Sequence, residues 1–471
     1  MLVWGLWLDG AFYFSTGRKS RKACNLAENS PCVIATDRAG RRWWRRQRGG
    51  IICVSQESEH EAMNRLSKIL IVALSVLIFS YAGLGYVLGK TGDEKAYRSL
   101  TVYSEVLQRI QQDYVDEPDL HLVTSGALHG LLEALDPGSA YLTPREYTEY
   151  KQKLASAKKG ETGLTLSKRS GFIVVVSVLP DSPAAKAGVR SGDLLEAIAG
   201  FTTWDMAVGQ ALNLLAGDPG TTVKVAVVPR GRVEPHDTDL VRAQIGPQKI
   251  LTQKVDPDIM VLRLPTLEAG RADELRSKLQ ELDRQGIRKV VLDVRDCGQG
   301  EMGEGIAVAR LFVTSGNIAT LRGQTVSQQL FAADPGKVVW KGTVSVLISS
   351  TTSGAAELLA AAIGGNHRGD VVGERTYGLA SEQKVIPLED GAALILTVAN
   401  YYTAAGKSIL EEGVPPTVAV RPASDDQADS VDDNGAAAAP PETAEPRPLS
   451  PEDPVLRKAI ELLKGPGRKA A

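Results

Sequence analysis

The sequence predicts an α/β core domain, a smaller strand-rich domain inserted ahead of it, an N-terminal helical segment and one transmembrane helix. Three observations carry this: apolar strands alternating with amphipathic helices from Ile259 onward, strands punctuated by glycine turns between Gly160 and Phe201, and an uncharged apolar run at 69–88. A chain of 471 residues, 43% hydrophobic and 23% charged, can bury a core in each of about two to four domains. Lysine plus arginine (54) nearly balances aspartate plus glutamate (56), so there is no chain-wide positive field to draw nucleic acid.

The run from Ile69 to Leu88, ILIVALSVLIFSYAGLGYVL, holds no charge over 20 residues. At about 1.5 Å per residue, a helix of that length spans the roughly 30 Å hydrocarbon core. Arg65 and Lys68 flank its N-terminal side and an arginine cluster, Arg41 to Arg48, lies upstream. The positive-inside rule therefore keeps the N-terminus in the cytoplasm and exports everything after Lys90. The expected location is the inner (cytoplasmic) membrane, single-pass, with the functional domains periplasmic or extracytoplasmic. Residues 1–62 mix aromatics, basic clusters and three cysteines without a sustained period, and do not read as a domain. Met63 opens MNRLSKILIVALSVLIF, with the basic n-region and apolar h-region of a signal sequence or anchor, and the natural chain is expected to start there. No A-x-A-like cleavage site follows, which favours an uncleaved anchor at 69–88. Cys24, Cys32 and Cys53 precede the run and only Cys297 follows it. The exported part thus closes no internal disulfide, the spacings fit no zinc pattern, and neither a metal nor a cofactor is expected.

Ala96 to Val115 and Val123 to Pro137 carry apolar residues at helical spacing until proline stops the second, giving a helical segment over 96–155. From Gly160, strands separated by a short helix ending at Gly188 and a Ser191-Gly192-Asp193 turn lead to the helix AVGQALNLLAG and the strand TTVKVAVVPRG. These residues, 160–232, resemble a PDZ domain. The resemblance implies a site where a peptide adds as a strand to a sheet edge while N–H groups of a glycine-containing loop receive its terminal carboxylate. Gly163, Leu164, Thr165 and Leu166 would be that loop and edge strand; the alternative is that Gly163 only permits a turn.

Beyond it, IMVLRLPTL, RADELRSKLQELDRQG and RKVVLDVRD form a strand, a helix and a second apolar strand. Further cycles at GEGIAVARLFV and at TVSVLISS followed by GAAELLAAAIGG complete a layered α/β domain over 250–420. The order of the helical segment, LDPGSAYLTP, the PDZ-like part, VVLDVRD, SSTTSGAAELLAAAI, VVGERTYG and ANYYTAAGKSI resembles the C-terminal processing peptidases. These are S41 serine peptidases with a serine–lysine dyad, and the resemblance covers residues 96–465. It implies a peptidase-like α/β fold in which the nucleophilic serine stands three positions before a helix glutamate and the lysine base follows 25 positions later. With Glu357 as that glutamate, the nucleophile position is Gly354 and the base position is Leu379; Gln383 matches the glutamine that supports the lysine. After D-L-R the family shows two asparagines, a proline and two glycines in a loop that helps stabilise the oxyanion. Here DVR is followed by Asp296, Cys297, Gly298, Gln299 and Gly300.

Ser353, one residue from the nucleophile position, is the alternative nucleophile, and it needs a base in hydrogen-bond reach. Lys384 adjoins Gln383 in an expected strand and points to the opposite face; His367 falls in a helix-to-strand turn, and Cys297 reads as a small buried thiol. Ser353 is otherwise expected to cap the helix beginning near Gly354. Residues 421–453, acidic and rich in alanine and proline, read as a disordered linker, and 454–465 as a C-terminal helix with an apolar face. Two functions follow. One is a membrane-anchored pseudopeptidase that binds C-terminal peptides of exported proteins, alone or beside an active relative. The other is a serine-type endopeptidase working through Ser353. Neither involves nucleic acid.

Overall fold

The computed structural model describes residues 5–8, 11–14, 94–155, 160–204, 206–421 and 453–465. Among them no helix is long and apolar enough to cross a membrane; the expected span at 69–88 lies outside the described residues, as does the linker from 422 to 452. Within 1–62, which does not read as a domain, two short strands are described. Strands β1 (Gly5–Leu8) and β2 (Ala11–Phe14) pair antiparallel with Gly5 opposite Phe14, flanking an Asp-Gly dipeptide of the kind that favours tight hairpins.

The helical segment comprises α1 (Glu94–Asp113), α2 (Leu120–Glu133) and α3 (Pro144–Ala155), with a short strand β3 (Ala140–Leu142) between the last two. Asp119 caps α2 by accepting from the N–H groups of His121 and Leu122. A capping box of Thr143 and Glu146, with Pro144 in the first turn, starts α3. The Asp136 carboxylate accepts from Gly138 N (2.8 Å), Ser139 N (2.9 Å), Ser139 Oγ (2.6 Å) and Thr397 Oγ1 (3.0 Å), fixing the LDPGS turn to the core.

The inserted domain is built from β4 (Leu164–Arg169), β5 (Phe172–Val178), α4 (Pro183–Lys186), β6 (Leu194–Ile198), β7 (Phe201–Thr202), α5 (Val208–Leu215), β8 (Thr222–Val228) and β9 (His236–Val241). Its sheet runs β4-β5-β6-β8-β9, leaving β4 at an edge, with β7 paired to β6. Ser170 and Gly171, both at positive φ, make the two-residue turn that matches the twist of β4 and β5. Leu164, Leu166, Ile173, Val175, Leu195, Ile198, Val225 and Val227 form one core under α5. Strand β9 pairs along β8, so the sheet continues to Val241, past the expected boundary at 232. The physical reason is that β9, HDTDLV, is polar over its first four residues at the sheet margin and buries only Leu240 fully, a weak strand signal.

The α/β core contains β10 (Leu251–Asp256), β11 (Ile259–Arg263), α6 (Arg271–Arg284), β12 (Lys289–Asp293), α7 (Met302–Arg310), β13 (Asn317–Arg322), β14 (Gln329–Ala332), β15 (Thr343–Ile348), α8 (Ala355–Gly365), β16 (Asp370–Gly373), β17 (Ser381–Pro387), β18 (Ala393–Tyr402) and β19 (Val418–Ala419). The main sheet has the order β10-β11-β12-β15-β16-β19 and is parallel from β11 onward, as buried apolar strands joined by helices require. A second sheet, β14-β13-β18-β17, takes β3 onto β18. Helices α6, α7 and α8 pack on one face of the main sheet. The other face, formed by Ile259, Val261, Val291, Leu347 and Val372, is covered by the C-terminal helix α9 (Pro454–Lys464) through Val455, Leu456, Ala459 and Leu463. Asp453 caps α9 with one carboxylate oxygen and bonds Arg295 Nη1 (2.5 Å) with the other; Arg295 in turn grips Asp293 at the end of β12.

Candidate active site at the strand-to-helix elbow

Strand β15 ends at Ile348, the chain turns through Ser349–Gly354, and α8 begins at Ala355. Thr352 Oγ1 accepts from Ser349 N (3.0 Å) and donates to Val294 O (2.9 Å), while Ser353 N donates to Cys297 O (3.1 Å), so the turn is stitched to the end of β12 and the loop after it. Gly354 sits at φ 61°, ψ −121°, a conformation strained for any residue with a Cβ. A sharp strand-to-helix turn of this kind presents the nucleophile in α/β-hydrolases.

One carboxylate organises what surrounds it. Glu357, fully buried, accepts from Gly354 N (2.9 Å), Thr376 Oγ1 (2.5 Å), Gly378 N (2.7 Å) and Leu379 N (2.8 Å). The nitrogens of Gly354 and Leu379 bond the same oxygen, and the sum of those two lengths bounds their separation at about 5.7 Å. Burial pushes the Glu357 carboxyl up to about 7, against the pull of the Thr376 hydroxyl and the three backbone donors. Positions 354 and 379, expected for nucleophile and base, are thus brought together, yet they carry a hydrogen and an isobutyl group.

The alternative residues fare as follows. Ser353 is 1% exposed and its Oγ has no hydrogen-bond partner among the described residues. The expectation that Ser353 caps α8 is corrected: Gly354 occupies the cap position, and Glu357, reaching back from the first turn, takes the cap N–H instead. Cys297 is 1% exposed, and burial pushes its thiol up to about 12 despite the nearby Arg271 guanidinium, so it holds no thiolate to attack with. Leu379 is half-buried; Gln383, Lys384 and His367 are exposed. Gln383 Nε2 lies 2.1 Å from where a side chain on Gly138 would begin, so the glutamine rests on the LDPGS turn. A bulge between Glu382 and Gln383 breaks the pairing register of β17 with β18 just ahead of Lys384.

The loop from 296 to 300 differs from expectation in a constructive way. Asp296, at φ 62°, accepts from Thr351 Oγ1 (2.8 Å) and pairs with Arg263 Nη2 (3.3 Å), which ties the loop to the elbow and offsets its charge. At Gly298 a Cβ would stand 2.1 Å from Ser177 Oγ, 2.8 Å from Thr165 Oγ1 and 3.0 Å from Ser353 Oγ. Thr165 and Ser177 face each other across β4 and β5, so the inserted domain seats directly on this loop, and only glycine fits. At the other end of the proposed peptide loop, Gly163 (φ 81°) would place a Cβ 2.3 Å from that of Ser182. Leu164 and Leu166 point into the inserted domain's core, and α5 lies alongside β4. Strand β4 is one edge of this sheet, with β9 the other, and a polypeptide strand can add at the β4 edge.

Residues 258–420 match the model of peptidase family S41, and residues 174–229 match that of the PDZ domain. The chain is 29% identical over 336 residues to a carboxy-terminal-processing protease of Bartonella bacilliformis, covering 70% of this chain and 76% of that protein. It is 29% identical over 353 residues to the carboxy-terminal processing protease CtpA of Bacillus subtilis, covering 74% of each. Among solved structures, the photosystem II D1 C-terminal processing protease superposes with a TM-score of 0.57 at 25% identity, over 68% of this chain and 92% of that one. By the family match and these relatives, this chain belongs to peptidase family S41, among the C-terminal processing peptidases.

Proposed function

We propose that this chain is a membrane-anchored, PDZ-bearing pseudopeptidase that captures the C-termini of exported proteins, alone or as a regulator of an active relative. The observation that carries the reading is at positions 354 and 379. Their backbones share one oxygen of Glu357, so the frame for a nucleophile and a base is present, and neither residue has a group that can attack a carbonyl or take a proton. Peptide capture draws support from the free edge of β4 beside α5, and the anchor from the uncharged run at 69–88. Peptidase activity through Ser353 has no comparable support: its buried hydroxyl has no hydrogen-bond partner among the described residues, and Lys384 is exposed on β17.

The test is cleavage of an unstructured protein by the full chain, with a Ser353→Ala control. No turnover is expected from either. Turnover that vanishes in the control would overturn the reading and make Ser353 the nucleophile. Capture is checked with peptides ending in apolar residues, whose acid forms are expected to bind more tightly than their C-terminal amides. A reporter fused after Lys90 is expected to be active only in the exported compartment.

A further inference from the structure

Donors without acceptors converge on the elbow. Ser353 Oγ, buried and unpartnered among the described residues, stands in the gap between the elbow and Gly298. Thr165 Oγ1, likewise buried and unpartnered, closes that gap from the PDZ side. Behind them α8 starts with buried Ala355 and Ala356 under a cap residue that has no side chain to accept from their N–H groups. An 11-residue helix places roughly half a positive charge at this end, offset in part by Glu357 in its first turn. In front, a Cβ direction from Gly354 runs clear to Met302 Cε at 3.6 Å.

We propose that the elbow is a receptor for the free carboxylate of a peptide ending in an apolar residue. The N–H groups of Ala355 and Ala356 and the Ser353 hydroxyl hold the carboxylate, and the terminal side chain lies against Met302. The proposal rests on the pseudopeptidase reading, because a working serine and lysine would fill this space. An anion is the ligand that a helix start with unfilled donors favours, since charge-assisted hydrogen bonds are stronger than those to a neutral carbonyl. Asp296, the acidic residue of the adjoining loop, is already matched by Arg263 and Thr351 and does not repel it as a bare charge. The elbow donors differ from the N–H groups of the Gly163–Leu166 loop, although Thr165 borders both, so one chain offers two places for a carboxylate.

The experiment is amide chemical-shift mapping on the full chain in detergent, with N-acetyl-leucine as probe in its acid and amide forms. The Ala355 and Ala356 signals are expected to move with the acid alone, and Ser353→Ala to weaken that response by about tenfold, one charge-assisted hydrogen bond. Equal response to acid and amide overturns the proposal, and so does no movement at Ala355 and Ala356. Acid-specific shifts confined to residues 163–166 also overturn it, while leaving the proposed function standing. Turnover in the cleavage assay would instead sink the pseudopeptidase reading, and the shift map with this uncleavable probe would still report on the elbow.

Discussion

Replacing Glu357 with alanine removes the acceptor of four buried donors at once: the N–H groups of Gly354, Gly378 and Leu379 and the Thr376 hydroxyl. Each buried donor left unpaired costs about 1–3 kcal/mol, so the gross loss is roughly 4–8 kcal/mol once partial relaxation is allowed. Against this, the native state spends free energy keeping a carboxylate buried. Its shift from 4.5 to about 7 corresponds to a few kcal/mol. The expected net destabilisation is therefore about 1–5 kcal/mol, a sizeable part of the roughly 5–15 kcal/mol that holds a domain together. The sign with pH follows from the same shift. Between 4.5 and about 7 the folded chain binds the Glu357 proton more tightly than the unfolded one. That contribution is fully present below the ordinary glutamate range and is lost as pH rises through about 7. Urea unfolding at pH 5 and pH 8 measures both quantities, and the alanine variant should lose this component of the pH dependence. A destabilisation below about 0.5 kcal/mol at both pH values would refute the claim that one carboxylate holds positions 354 and 379 together.

Three further outcomes are expected. Gly354→Ser should fold with a loss of about 1–2 kcal/mol from backbone strain, since its Cβ has room, and should not cleave protein substrates; with Leu379→Lys added, weak cleavage in the same assay is the expected gain. Gly298→Ala drives a Cβ onto Ser177 Oγ and should loosen the PDZ domain from the core, read as faster limited proteolysis between residues 160 and 250 and eased by adding Ser177→Ala. With Cys24, Cys32 and Cys53 changed to serine, Cys297 should not react with a thiol reagent at pH 8 until the chain is unfolded in urea, because burial holds its thiol at about 12.

Much of this was legible in the sequence because period and composition follow burial. The alternation of apolar strands and amphipathic helices after Ile259 corresponds to the parallel sheet from β11 to β19, and VVLDVRD to β12 and the Asp293–Arg295 grip. Counting from Glu357 located positions 354 and 379, which the fold does bring together. What the count could not convey is why the glutamate is there. Its signal was present all the same: a single charged residue inside AAELLAAAI, a helix otherwise buried throughout its first three turns, must find several donors to be tolerated. The cap of α8 was misassigned to Ser353 because a serine before a helix is the usual capper, and the glutamate's reach back to Gly354 is a tertiary arrangement. Gly298 was the least legible. Its need for glycine comes from Thr165 and Ser177, more than a hundred residues earlier, and no local pattern encodes that contact.

The docking of α9 bears on when this protein can finish folding. The strip formed by Ile259, Val261, Val291, Leu347 and Val372 has its cover encoded last, beyond some thirty residues of acidic, proline-rich chain. A growing chain emerges at about 5–20 residues per second, so the PDZ domain can close early, while the parallel sheet waits with one apolar face bare until Leu463 has been made. During that interval the strip is exposed. A message broken before codon 453 would yield a product with its PDZ domain formed and its sheet open to aggregation and degradation, so the cell would discard truncated copies without any dedicated proofreading signal.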